Sequence, residues 1–544
     1  MKRAVFFTFF ILTSALVRGV ARRTGIPKKP ALVIGIVVDQ MRQDFLYRYA
    51  SGFGKDGFRR FLNQGYSFRN CQYSYTPTYT GPGHASVFTG STPAVHGIVG
   101  NDWLQASGKP VYCTSDSLVS GIGTNGKAGK MSPANLQSET LADQIRLSGQ
   151  FRGKAFGISL KDRGAILPAG HAANAAFWFD FSSGQFISST WYRELKGKLP
   201  SWLEKFNQSA PAVAYRDSVW KPLLPLFHYS VSDADNAPWE KSLISGREPI
   251  FPYSMRDAGG VDKVAHSPFG NTLLTRLALT LMDAEGLGRD SITDFLSVSY
   301  SSTDIVGHAY GPSSMENQDS YLRLDRELEA LFRFLDSKIG KGKWLCFLTS
   351  DHGVMEAPGY LRSHQIPAFS FSEAALKDSL QRKCLEFCGK DMILGVENLQ
   401  VYWKKDFFQL DETEQHSLEK KVLRWLEAQP AILRAFSFLG GRPFPEPPML
   451  RKVEAGYYAG RSGHLQMVLK PQYLNHAEEK GTTHGSPFVY DSHVPCLFTG
   501  WKIGEGSDTK PFSIEDITPT LCQLLEISYP SGCTGKPHEL PISK

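Results

Sequence analysis

Runs of apolar residues that end on an acid set the pattern of this chain. "ALVIGIVVD" at 31–39 is continuous and rich in β-branched residues, the signature of a strand buried on both faces of a parallel sheet. "FLSVSYSSTD" at 295–304 and "KWLCFLTSD" at 343–351 repeat it. The three deliver Asp39, Asp304 and Asp351 at strand C-termini, where open α/β sheets place their ligand sites. Between the second and third, "SYLRLDRELEALFRFLDSKI" puts Tyr321, Leu324, Leu328, Leu331, Leu335 and Ile339 on one helical face, which predicts a crossover helix. The pattern predicts an α/β fold with a mostly parallel central sheet flanked by helices.

Two stretches depart from this periodicity. Residues from about 170 to 290 are rich in Trp, Phe, Pro and Ser and read as an insertion that carries loops over the sheet, and about 365 to 480 reads as a second insertion or subdomain. The start, "MKRAVFFTFFILTSALVRGVARR", has Lys2 and Arg3 before an apolar run to Val17, then Gly19 and Ala21 at the small positions of a cleavage site. A secretory signal peptide is expected over 1–21, with the catalytic domain over 22–544 and a periplasmic or secreted destination. The run is shorter than the roughly 20 apolar residues of a span, so no stable anchor is expected after cleavage.

Composition narrows the function classes. At 544 residues, with 42% hydrophobic and 21% charged residues, the chain has the make-up of a globular protein. A formal charge of +7 without a dense Lys/Arg run gives no nucleic-acid footprint, although it suits small anionic substrates. Export would leave eight cysteines in an oxidising compartment, with pairing open; Cys384 and Cys388, four apart, could bridge on a helix only with distortion. No CxxC pair marks a thiolate metal site.

Candidate chemistry gathers at the strand ends. In "SSTDIVGHAYGP", Asp304 and His308 are four apart and share a face if helical. In "TSDHGV", Asp351 and His352 are neighbours, and Gly353 permits the bend that would let both converge. "GTTHGSP" adds His484 among small residues. Carboxylate and imidazole ligands without thiolates suit zinc or a related divalent ion in an open catalytic site, and the number of ligands is enough for two ions. In "YSYTPTYTGPGHASVFTG", Thr80 stands just before the first turns of a helix, as either a simple turn or a nucleophile at an anion-stabilising N-terminus.

These segments, "TPTYTGPGHASVFTGSTPAVHGIVGNDW", "GISLKDRGAILPAGH", "SSTDIVGH", "TSDHG" and "GTTHGS", closely resemble the PafA-type, phosphate-irrepressible alkaline phosphatases of the alkaline phosphatase superfamily, over most of the mature chain. The resemblance implies two Zn²⁺ per chain, one held by Asp304, His308 and His484, the other by Asp39, Asp351 and His352 with Thr80 as a further ligand. It also implies that Thr80 forms a covalent phosphothreonine and that Asn101 donates to a non-bridging phosphate oxygen. Two ions about 4 Å apart can clamp the attacking and leaving oxygens of an in-line displacement. Lys161 and Arg163 stand i and i+2, so on an extended strand they would point together, with Asp162 facing away. By themselves they read as a solvated strand end; beside the resemblance they read as ligands of a phosphoryl dianion.

The expected function is an exported two-zinc alkaline phosphatase acting on small phosphate monoesters. The alternatives are a phosphodiesterase or nucleotide pyrophosphatase of the same superfamily, disfavoured by Lys161 and Arg163, and an inactive exported protein that binds phosphorylated ligands. A sulfatase lacks its Cys/Ser-x-Pro-x-Arg motif at the nucleophile region. His84, four beyond Thr80, could mimic a base or, more blandly, aim at the backbone, and metal activation makes a base unnecessary; His96, His171 and His493 are expected to be structural or to support the ligands from behind.

Overall fold

The computed structural model of the chain describes residues 28–439 and 448–542; the leader expected at 1–21 lies outside them. The elements that position the site are β1 (Leu32–Val38), β2 (Gly65–Gln72), α1 (Thr80–Thr89), β3 (Ala155–Ser159), α2 (Asp162–Ala169), β4 (Ala175–Asp180), β5 (Gln185–Ser189), β6 (Asp294–Tyr300), α3 (Ser302–Tyr310), α4 (Met315–Leu335), β7 (Trp344–Thr349) and β8 (Cys496–Gly500). They build an eleven-stranded sheet whose centre runs β2, β8, β7, β1, β6, β3, β4, β5. Strands β7, β1, β6, β3 and β4 are mutually parallel. The flanking pairs β7 with β8 and β4 with β5 are antiparallel. The expected parallel core is therefore present, closed by antiparallel strands on both sides.

Register explains why three acids meet. Val38 of β1 pairs with Tyr300 of β6, and Val37 with Thr349 of β7. Asp39 and Asp351 leave level strand ends, and Asp304 sits in the first turn of α3, directly after β6. Ser299 of β6 pairs with Ser159 of β3, which brings Lys161 to the same edge. Every residue of β1, β6 and β7 is buried, as their apolar sequences require.

Helix α4 is the expected crossover, capped by Ser314, whose side chain accepts the Asn317 N–H. All six of its predicted face residues are buried, with Ile339 in a wider turn after the helix. Each such leucine contributes roughly 1.5–3 kcal/mol of burial free energy. The stretch from 170 begins inside the main sheet, because "AAFWFD" and "QFISS" are β4 and β5; short helical segments follow, and then the 17-residue helix Phe269–Glu285, which packs into the main core. Residues 365–480 carry a separate apolar core between an antiparallel four-stranded sheet and helices Glu373–Cys388 and Glu412–Glu427. All eight cysteines are unbridged. Among the described residues no helix is long and apolar enough to cross a membrane.

Candidate metal centre and active site

Thr80 is the first residue of α1, after Tyr79 in extended conformation, so its hydroxyl stands at a helix N-terminus. The helix is buried all round and lies against the backbone after β7: a Cβ on Gly83 would come within 2.2 Å of the Asp351 carbonyl oxygen. Only glycine allows that approach, and it brings Thr80 Oγ1 to 3.4 Å from His352 Nε2.

Around Thr80 the His and Asp side chains form two groups, each with ligand atoms within 4.8 Å of one another: Asp304, His352 and His484, and Asp39, His84 and Asp351. His308 adjoins the first group, with Nε2 3.1 Å from Asp304 Oδ1, since α3 is helical and places both on one face. The sequence-expected ligands thus converge, but the grouping differs from the expected allotment. His352 stacks on His484 with ring centroids 3.4 Å apart, while its Nε2 stays 3.3 Å from Asp351 Oδ2. It bridges the two groups.

The donor set fits divalent metal. His308, His352 and His484 each set Nδ1 on a backbone carbonyl, of Thr482, Gly353 and Thr78, at 2.8, 2.9 and 2.7 Å. Such bonds fix the N–H on Nδ1 and leave Nε2 as the lone-pair nitrogen, the arrangement of metal-binding imidazoles. Asp351 Oδ2 is buried without a hydrogen-bond partner. An orphaned carboxylate oxygen beside bare imidazole nitrogens is what a cation would satisfy.

Charges at the site act on one another. Burial, then Asp351, pushes the Asp39 carboxyl up. Burial works against ionised Asp304 and Asp351 too, but His308 and Lys161 at the former, and His352 at the latter, hold both below the usual carboxylate range. Burial, His352 and His308 hold His484 well below the ordinary imidazole value, so it is neutral.

Lys161 and Arg163 require a correction. The chain does not stay extended: Lys161 is the N-cap of α2, and Arg163 is inside the helix. Asp162 in the first turn suits the positive helix end, which explains why the helix starts there. The two cations line one cleft but hold different partners. Lys161 Nζ lies 3.1 Å from Asp39 Oδ2 and 2.6 Å from Asp304 Oδ2, and despite burial these carboxylates raise its pKa. Arg163 donates to the Tyr112 hydroxyl at 2.9 Å, while its Nε is buried without a partner. Asp162 does not face away; it accepts from both Tyr112 and the Arg163 N–H. Asn101 accepts the Gly81 N–H through Oδ1 at 2.8 Å, which turns its Nδ2 group outward from that bond.

Sequence reasoning missed several participants. His84 sets Nδ1 on the Thr80 carbonyl, the bland alternative, yet its Nε2 contacts Ser299 Oγ at 2.9 Å and its ring lies between Asp39 and Asp351. Gln40 donates to Asp304 Oδ1 at 2.7 Å and through its backbone N–H to Asp351 Oδ1 at 3.0 Å, from a strained left-handed φ of 65°. Ser299 donates to Asp39 Oδ1. His96, His171 and His493 contact Ser86, Leu136 and Arg69, away from this cluster.

Comparison with known proteins agrees on the relationship. A protein-family model described as type I phosphodiesterase / nucleotide pyrophosphatase matches residues 33–487. The alkaline phosphatase PafA of Elizabethkingia meningoseptica is 43% identical over 524 residues, 95% of each chain. A protein of Myroides odoratus named calcium-transporting ATPase is 37% identical over 99% of this chain and 98% of its own. The crystal structure of wild-type PafA superimposes with a TM-score of 0.88 at 42% identity, covering 95% of this chain and 99% of that one.

Proposed function

The chain belongs to the type I phosphodiesterase / nucleotide pyrophosphatase family of the alkaline phosphatase superfamily, beside the PafA-type alkaline phosphatases, and from that membership we propose an exported two-zinc phosphatase that hydrolyses phosphate monoesters through a phosphothreonine at Thr80. The observation that carries this reading is the convergence of two buried Asp/His groups on a threonine hydroxyl at a helix N-terminus. Asp304, His308 and His484 would hold one Zn²⁺, and Asp39, Asp351 and His352, with Thr80, the other. Bound there, the ions supply Lewis-acid charge that makes the alkoxide accessible near neutral pH and stabilises the departing oxygen.

Thr80 Oγ attacks phosphorus, its proton passes to solvent, and the electron pair of the broken P–O bond leaves on the ester oxygen. Water then attacks the phosphothreonine, which releases inorganic phosphate and restores the hydroxyl. His84 does not serve as base, because its Nδ1 is committed to the Thr80 carbonyl. Asn101 Nδ2 and the guanidinium of Arg163 are the donors for the non-bridging oxygens. Tyr112 and Asp162 hold Arg163 charged against the cost of burial. Lys161 compensates the charge of Asp39 and Asp304 and adds a cation beside the transferred group.

These donors favour a doubly charged phosphoryl group, and so a monoester over the diester for which the family is named. The ATPase name of one relative is matched at the level of phosphate hydrolysis. Export to the periplasm or medium rests on the N-terminal sequence. Acid quenching during turnover, followed by peptide mass spectrometry, tests the intermediate. Phosphate is expected on Thr80 in the wild type and on no residue in Thr80→Ala; phosphate on another residue during turnover refutes it.

A further inference from the structure

Most of the site is closed: Thr80 is 1% exposed and His352 fully buried, whereas the His308 side chain is 34% exposed. His308 opens onto a cavity of about 350 Å³ lined also by Leu243, Ile305, Lys241, Lys263 and His266. That volume falls in the range of small-molecule sites. Arg163 lines a separate cleft, together with Lys161, Lys127 and Phe181.

We infer that the cavity beside His308 is a leaving-group subsite for anionic leaving groups that themselves carry phosphate, as in nucleoside polyphosphates. The inference rests on the reading above. If Thr80 attacks from the side of Asp39, Asp351 and His352, the departing oxygen emerges opposite, beside Asp304, His308 and His484, and the rest of the leaving group must enter the space that His308 lines.

The lysines are built into position. The Lys241 N–H donates to the Ala309 carbonyl at 2.9 Å, one residue past His308, and the Thr482 N–H donates to the His308 carbonyl at 3.0 Å. Gly481, at φ +80°, lets the Lys241 stem pack close: a Cβ there would lie 2.9 Å from Lys241 Cε and 2.4 Å from the His308 carbonyl oxygen. Lys241 pairs with Glu478 at 2.6 Å and Lys263 with Asp262 at 3.5 Å. The Glu478 side chain is 65% exposed and can yield Lys241 to a phosphate. With ATP, the bond from the γ-phosphorus to the bridging oxygen breaks, that oxygen and its electron pair leave on the diphosphate between the two lysines, and the Thr80 proton goes to solvent.

The test compares kcat/KM for ATP and for phenyl phosphate in metal-loaded wild type and the Lys241→Met/Lys263→Met double variant, with ADP binding measured by calorimetry on the same samples. Losing the charged contacts is expected to lower kcat/KM for ATP and weaken ADP binding by roughly tenfold or more, while phenyl phosphate hydrolysis is unchanged. Parallel losses for both substrates, or no change for ATP and ADP, overturn the subsite. Failure of wild type to hydrolyse phenyl phosphate would instead refute the phosphatase reading.

Discussion

Lys161 Nζ lies 2.6 Å from Asp304 Oδ2 in a nearly closed site, so the cation expected at the substrate is joined to a carboxylate expected at the metal. Removing one member of such a pair leaves a buried charge unmatched. Lys161→Met is therefore expected to destabilise the metal-stripped protein by about 3 kcal/mol in urea titrations, and much less once zinc is restored, because bound metal compensates Asp39 and Asp304 instead. Equal destabilisation with and without zinc would show that Lys161 and metal do not share these carboxylates.

Tyr112 connects Arg163 to Asp162 through one hydroxyl. Tyr112→Phe keeps the ring and removes the bond that orients the guanidinium. Monoester kcat/KM is expected to fall roughly tenfold and diester kcat/KM less, since the oriented cation matters most to a dianion. Identical losses for both esters would assign Tyr112 a packing role only.

Gly307, between Asp304 and His308, is set by close approach: a Cβ there would come within 1.9 Å of Gln40 Oε1. Gly307→Ala is expected to displace Gln40 from Asp304 and lower zinc affinity roughly tenfold to a hundredfold, measured by competition with a chelator. Unchanged affinity would show that Gln40 does not orient the ligand.

Away from the site, Glu316 is buried, accepts the Tyr253 hydroxyl and leaves Oε2 unpartnered. Burial pushes it up to about 8, and burial together with the Glu316 charge pushes Glu240 up to about 10. A carboxyl raised by folding contributes stability that is complete below its unfolded pKa and lost as pH rises through the folded one. Glu316→Gln, neutral throughout, is therefore expected to gain roughly 1 to 3 kcal/mol over wild type at pH 9 relative to pH 5. The same difference at both pH values would remove Glu316 as the titrating group.

Much of this was legible in the sequence because strands buried on both faces admit few polar residues, so Asp39, Asp304 and Asp351 stood out at their ends. The α4 face was equally plain. Only the extended geometry expected of Lys161 and Arg163 fails, because the helix begins immediately after β3, and the available cue was Asp162 at a helix start ahead of "GAILPAG". Gln40 left no signal, since glutamine does not mark a left-handed backbone position by residue type. His84 was visible at i+4 from Thr80, but its place between Asp39 and Asp351 depends on how α1 docks against the sheet. The β4 segment was assigned to an insertion because aromatic residues obscured an ordinary buried strand.

The most direct measurement is kcat/KM for a matched aryl phosphate monoester and diester, on wild type and Arg163→Ala, with zinc content determined on the same samples. A strong monoester preference at about two zinc ions per chain, reduced in Arg163→Ala chiefly through the monoester, is the expected outcome. A diester preference in the fully metallated wild type would keep Thr80 and the metal ligands but assign the chain to phosphodiester hydrolysis.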